Sequence, residues 1–107
     1  MTIEDYKAMG RFDAMQLLVI QAGIDKGIDV SVYAHSQFDW EQMREIFFGL
    51  VRGVNVYMYT DSSFTREQMQ EILCGLEEGL PVEDYAIPEI SAEHMKLIRC
   101  ELENRQP

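Results

Sequence analysis

Residues 38–50 read FDWEQMREIFFGL and residues 64–76 read FTREQMQEILCGL, one pattern displaced by 26 positions. Extended in both directions, it divides the chain without a gap into blocks 12–37, 38–63, 64–89 and 90–107, the last one shorter. Agreement of four blocks at one period marks a copied structural unit rather than a duplicated active site.

Each block opens as a helix opens. Asp13, Asp39, Thr65 and Ser91 share one position, and each carries a side-chain oxygen able to accept from free amides at a helix N-terminus. Gln16, Gln42 and Gln68 follow three residues later, the spacing of a capping box, with His94 at that place in the last block. Phe12, Phe38, Phe64 and Ile90 precede the caps, and Leu17, Met43, Met69 and Met95 stand five positions further on, which is a hydrophobic staple written four times.

The helix bodies repeat Leu17, Ile20 and Ile24; Met43, Ile46 and Leu50; Met69, Ile72 and Leu76; and Met95, Ile98 and Leu102. Offsets of three and seven set these on one stripe, the expected core face. Burial of each such side chain contributes roughly 1.5–3 kcal/mol. Gly27, Gly53 and Gly79 stand where helices end in a left-handed residue. Gly23, Gly49 and Gly75 lie four residues earlier, inside the helix, where glycine costs about 1 kcal/mol relative to alanine. Three such glycines at one block position predict close approach of another segment. Glu101 and Arg105 replace both glycines in the last block, as expected of a terminal unit.

The segments IDVSVYA, VNVYMYT and LPVEDYA follow the helices. Their consistently apolar positions are Val30, Tyr33 and Ala34 and the equivalents, and offsets of three and four predict a short helical turn. Pro81 also suits a first helical turn better than a central strand. Ile3 and Tyr6 match Val30 and Tyr33, so residues 1–11 read as an N-terminal half-repeat or cap, with one extra residue before Phe12. The expectation is a single all-α domain over 1–107, a short α-solenoid of four 26-residue units, each a longer helix plus a short helical turn. An α/β solenoid with a short strand per unit is the alternative.

The pattern of Gln-Met, Ile, Gly-Leu and Gly at fixed spacing, followed by Val and Tyr-Ala, resembles a short tandem repeat of proteins from mobile elements and phages of gut Firmicutes. The resemblance covers about residues 12–102 and carries no catalytic or cofactor residues with it. It implies a bacterial, phage or conjugative-element setting. Phe47 and Leu73 depart from it, standing where the repeat tends to be charged.

Charge narrows the partners. Nineteen acids against nine bases give a formal net charge of -10, which disfavours direct contact with nucleic acid or an anionic membrane and favours a protein partner with a basic surface. The acidic N-terminus is unlike a signal peptide, no stretch approaches a membrane span, and the two cysteines read as reduced and buried, so a cytoplasmic location is expected. His35 and His94 lack the spacing of metal ligands, and no motif specifies a catalytic site or a cofactor.

What remains after subtracting the repeat is peculiar to single blocks. Trp40, Arg44, Phe47 and Val51 share a flank in the second block, and an aromatic pair beside an arginine has the composition of a binding hot spot. Glu77, Glu78, Glu83 and Asp84 concentrate negative charge in the third. Together they predict a non-enzymatic protein-binding module. Its specific form, suggested by the resemblance and the charge, is an inhibitor of a host defence protein such as a CRISPR nuclease, acting by steric or acidic nucleic-acid-mimic blockade. The alternative is a structural homo-oligomerisation unit, such as a homodimer, without an inhibitory role.

Overall fold

A computed structural model describes residues 1–105. The chain is all-helical, with α1 (Ile3–Ala8), α2 (Ala14–Lys26), α3 (Trp40–Arg52), α4 (Arg66–Glu77) and α5 (Ala92–Asn104). Short 3-10 turns at Val30–Val32, Val56–Met58 and Val82–Asp84 follow α2, α3 and α4. Among the described residues there is no strand, so the strand alternative is set aside.

The local chemistry explains where each long helix begins. The side chains of Asp13, Asp39, Thr65 and Ser91 accept from the backbone amides of Gln16, Gln42, Gln68 and His94. In the first three, the glutamine Oε1 accepts in return from the cap residue's amide at 2.8–2.9 Å, closing the box. The helices end as the glycines require: Gly27, Gly53 and Gly79 have φ of 73°, 74° and 72°. In α4 the turn before that glycine tightens, so the helix ends at Glu77 and Glu78 is its cap.

The internal glycines have a single cause. Tyr33, Tyr59 and Tyr85 fold back over the helix of their own block and donate their hydroxyls to the carbonyls of Val19, Glu45 and Glu71 at 2.7, 2.7 and 2.9 Å. A Cβ at Gly23, Gly49 or Gly75 would overlap that hydroxyl and the Cγ1 of Val30, Val56 or Val82. Burial pushes the three hydroxyls well above the ordinary tyrosine pKa, so they stay protonated donors. Glu101 occupies the equivalent place in α5, where its exposed side chain pairs with Arg105 at 3.1 Å.

Each long helix packs on the next in chain order, α2 on α3, α3 on α4 and α4 on α5, while α1 packs on α2. The molecule is elongated accordingly, 49 × 25 × 16 Å. Glutamine links successive blocks: the Nε2 groups of Gln16, Gln42 and Gln68 donate to the carbonyls of Phe38, Phe64 and Ile90, each at 2.7 Å. These bonds join helix starts, and Arg52 at the end of α3 pairs with Glu77 at the end of α4. Neighbouring long helices are therefore parallel. The core is narrower than the stripe predicts: Ile20, Met43, Ile46, Met69, Ile72 and Met95 are fully buried with the three tyrosines, whereas Leu17, Ile24, Leu50, Leu76 and Ile98 are only partly covered. The N-terminal half-repeat is a six-residue α-helix rather than a 3-10 turn, with Tyr6 buried edge-on to Phe12.

Candidate functional site: an apolar groove between parallel helices

Parallel packing places equivalent positions of neighbouring helices against each other, and their contents decide the surface. Between α3 and α4, Glu41 lies 3.0 Å from Arg66 and Arg52 2.7 Å from Glu77. Between α4 and α5, the Arg99 guanidinium donates to Glu71 at 2.9 Å, approaches Glu78 at 3.5 Å and pairs with Glu103. Burial works against the charge of Arg99, but the bond and charge of Glu71 outweigh it and hold its pKa above the usual arginine value. These seams satisfy themselves.

Between α2 and α3 the same positions hold no ion pair. Met15 and Trp40 replace Glu41 and Arg66, and Val19 and Phe47 replace Glu71 and Arg99. The result is an open groove of about 230 Å³ lined chiefly by Met15, Val19, Trp40, Arg44, Phe47 and Phe48. Leu18, at 62% exposed, lines it and also a second groove of about 360 Å³ shared with Ile3, Lys7 and Leu17 between α1 and α2. The Arg44 guanidinium lies 5.1 Å from the centre of the Trp40 ring, and Phe47 and Phe48 stack obliquely at 5.6 Å.

Of the residues singled out in the sequence, Trp40, Arg44 and Phe47 thus share one groove, while Val51, one turn further along α3, is exposed outside its lining. The acidic four are divided. Glu77 is engaged by Arg52 and Glu78 by Arg99, whereas Glu83 and Asp84 are exposed on the 3-10 turn. Burial and then the neighbouring Glu103 raise the pKa of Glu78. The α2 side of the groove was missed by sequence reasoning. Its signal is the set Met15, Leu18 and Val19, apolar where the next two blocks carry Glu41, Arg44 and Glu45 or Glu67, Gln70 and Glu71.

The cysteines need correction. Both are free, but Cys100 is exposed and Cys74 only half-buried, because their shared block position lies at the helix flank and not on the core stripe. His35 contacts the Ser31 carbonyl at 2.9 Å and stands edge-on to Phe38, while His94 is exposed at the start of α5. Among the described residues no group of three or more His, Cys, Asp or Glu is placed to hold a metal ion, and no helix is long and apolar enough to cross a membrane.

Comparison of the chain with protein-family models, with curated proteins and with solved structures returns no match.

Proposed function

We propose that the chain is a four-unit helical solenoid acting as a non-enzymatic protein-binding module, with the α2–α3 groove as its contact surface. The observation that carries this reading is the α2–α3 seam itself. Three aromatic side chains, an arginine and several aliphatics line an open groove there, and Met15, Val19, Trp40 and Phe47 stand at positions that elsewhere hold ion pairs. Val19, Phe47 and Phe48 also pack against the core, but apolar groups left accessible along a groove lower solubility, which supports selection for contact.

The resemblance to mobile-element repeats gives the narrower form: occupation of a host defence protein, such as a CRISPR nuclease. Steric blockade is favoured over nucleic-acid mimicry, since two of the four acids are engaged in ion pairs within the chain.

The test compares wild-type chain with a Met15→Glu/Trp40→Arg variant as baits in a host-bacterium lysate, read by mass spectrometry across salt concentrations. A protein retained by wild type and lost by the variant supports the reading; equal recovery on both, or none on either, overturns it. Light scattering decides the rival. A wild-type dimer that the variant abolishes would make the groove a homo-oligomerisation surface instead.

A further inference from the structure

The two grooves that meet at Leu18 have an unusual charge. In a chain of nineteen acids and nine bases, their lining contains Lys7 and Arg44 and no carboxylate. Arg44 has no ion pair and no hydrogen bond among the described residues, and its Nε is buried without a partner. Every other arginine placed at a seam between long helices has a carboxylate within 4 Å: Arg52, Arg66 and Arg99. Its guanidinium carbon lies 5.1 Å from the centre of the Trp40 ring, within cation–π range, and that contact supplies no hydrogen-bond acceptor. Resting on the protein-binding reading of this groove, we propose that its occupant is an amphipathic helix with an acidic flank. Its apolar face lies in the furrows on either side of Leu18, and a carboxylate pairs with Arg44.

The shape argues for a helix. The parallel helices α2 and α3 bound a furrow that runs along their axes, and side chains spaced three and four apart fill such a furrow. A peptide added as a strand would need a free strand edge to satisfy its backbone, and the described residues contain none. The sign of the occupant's charge follows from Arg44. An apolar or basic face would bury its guanidinium without an acceptor, whereas a carboxylate supplies one and gains a charge-assisted bond. The chain's net negative charge opposes an acidic ligand at long range only, because the Debye length is about 8 Å at physiological ionic strength.

Trp40 is the chain's single tryptophan and lines the groove, so its fluorescence reports occupancy directly. The experiment titrates the full chain, at physiological salt, with two synthetic helical peptides sharing one leucine face, one flanked by glutamates and the other by lysines. The glutamate peptide is expected to blue-shift Trp40 emission and to bind about tenfold more tightly, the factor a charge-assisted bond supports. Arg44→Glu should reverse that order with helical circular dichroism unchanged, and Arg44→Gln should abolish the preference without reversing it. Tighter binding of the lysine peptide, or a preference that survives both substitutions, overturns the acidic assignment while leaving the groove as a contact. Silence with both peptides overturns the helix as occupant. The protein-binding reading stands or falls separately, on the bait comparison.

Discussion

The α2–α3 seam and the two seams that follow it are built on the same backbone scheme and carry opposite side chains. The capping glutamines bridge all three in the same way, and the cap-preceding residues enter each at the same place. At the flank, Met15 with Trp40 and Val19 with Phe47 answer Glu41 with Arg66 and Glu71 with Arg99. The lesson is a division of labour. Core and backbone bonds hold the helices side by side, which frees the flank to be self-satisfied by ion pairs or left apolar.

The backbone scheme should break most readily at its tightest point. Gly49→Ala drives a Cβ into the Tyr59 hydroxyl, and overpacking together with the lost hydrogen bond outweighs the helix propensity gained. A net loss of about 2–3 kcal/mol is expected from a denaturant melt. Adding Tyr59→Phe should recover part of it; a single mutant as stable as wild type would refute the packing account.

Next comes Gln42, whose Oε1 caps α3 while its Nε2 spans to the following block. Gln42→Ala should cost about 1–2 kcal/mol, and Gln16→Ala a similar amount, because the bridge is common to both kinds of seam. A penalty confined to one of them would show that the seams differ in backbone as well as in flank.

The flanks can be exchanged. Met15→Glu with Trp40→Arg writes the Glu41–Arg66 pair into the apolar seam, and stability should change by no more than about 1 kcal/mol, since half-exposed pairs contribute little. Thermal melts check this alongside the binding loss described above. Collapse of the double variant would mean that Trp40 is structural.

The smallest effect concerns Glu45, where the comparison has a flaw of its own. This residue matches Glu71 but has Leu73 at the position where Glu71 has Arg99, and it is 3% exposed, its carboxylate without a hydrogen bond or ion pair among the described residues. Burial raises its pKa despite the attraction of Arg44 and Arg52 on its own helix and of Arg66 on α4. A raised carboxylate pKa favours the protonated form in the folded chain. Its stability contribution is therefore greatest in acid and declines as pH rises from the unfolded value near about 4.3 through the folded one. Glu45→Gln should raise Tm by a few degrees at neutral pH and by less at pH 4. The opposite ordering in melts at the two pH values would contradict it.

Much of this was legible in the sequence because it is local. A cap, a capping box, a staple, a left-handed glycine and a turn spaced by three and four are each settled within a few residues, and repetition at 26 separates them from accident. The close approach at Gly23, Gly49 and Gly75 was also legible. The sequence did not reveal that a tyrosine hydroxyl was its cause, since that contact closes 14 residues along the chain. The second role of the glutamines and the exposure of Cys100 likewise depend on how one block lies against the next.

The sequence by itself therefore determined the helices, their ends and the stripe from which each block draws its core. Only the tertiary structure decided that Trp40 and Phe47 share a groove with Met15 and Val19, that Glu77 and Glu78 are engaged by arginines, and that Arg44 has no carboxylate partner among the described residues. The physical reason is range. Hydrogen bonds and staples within a helix follow from spacing along the chain, whereas the content of a groove follows from the packing of two helices on residues about 26 apart.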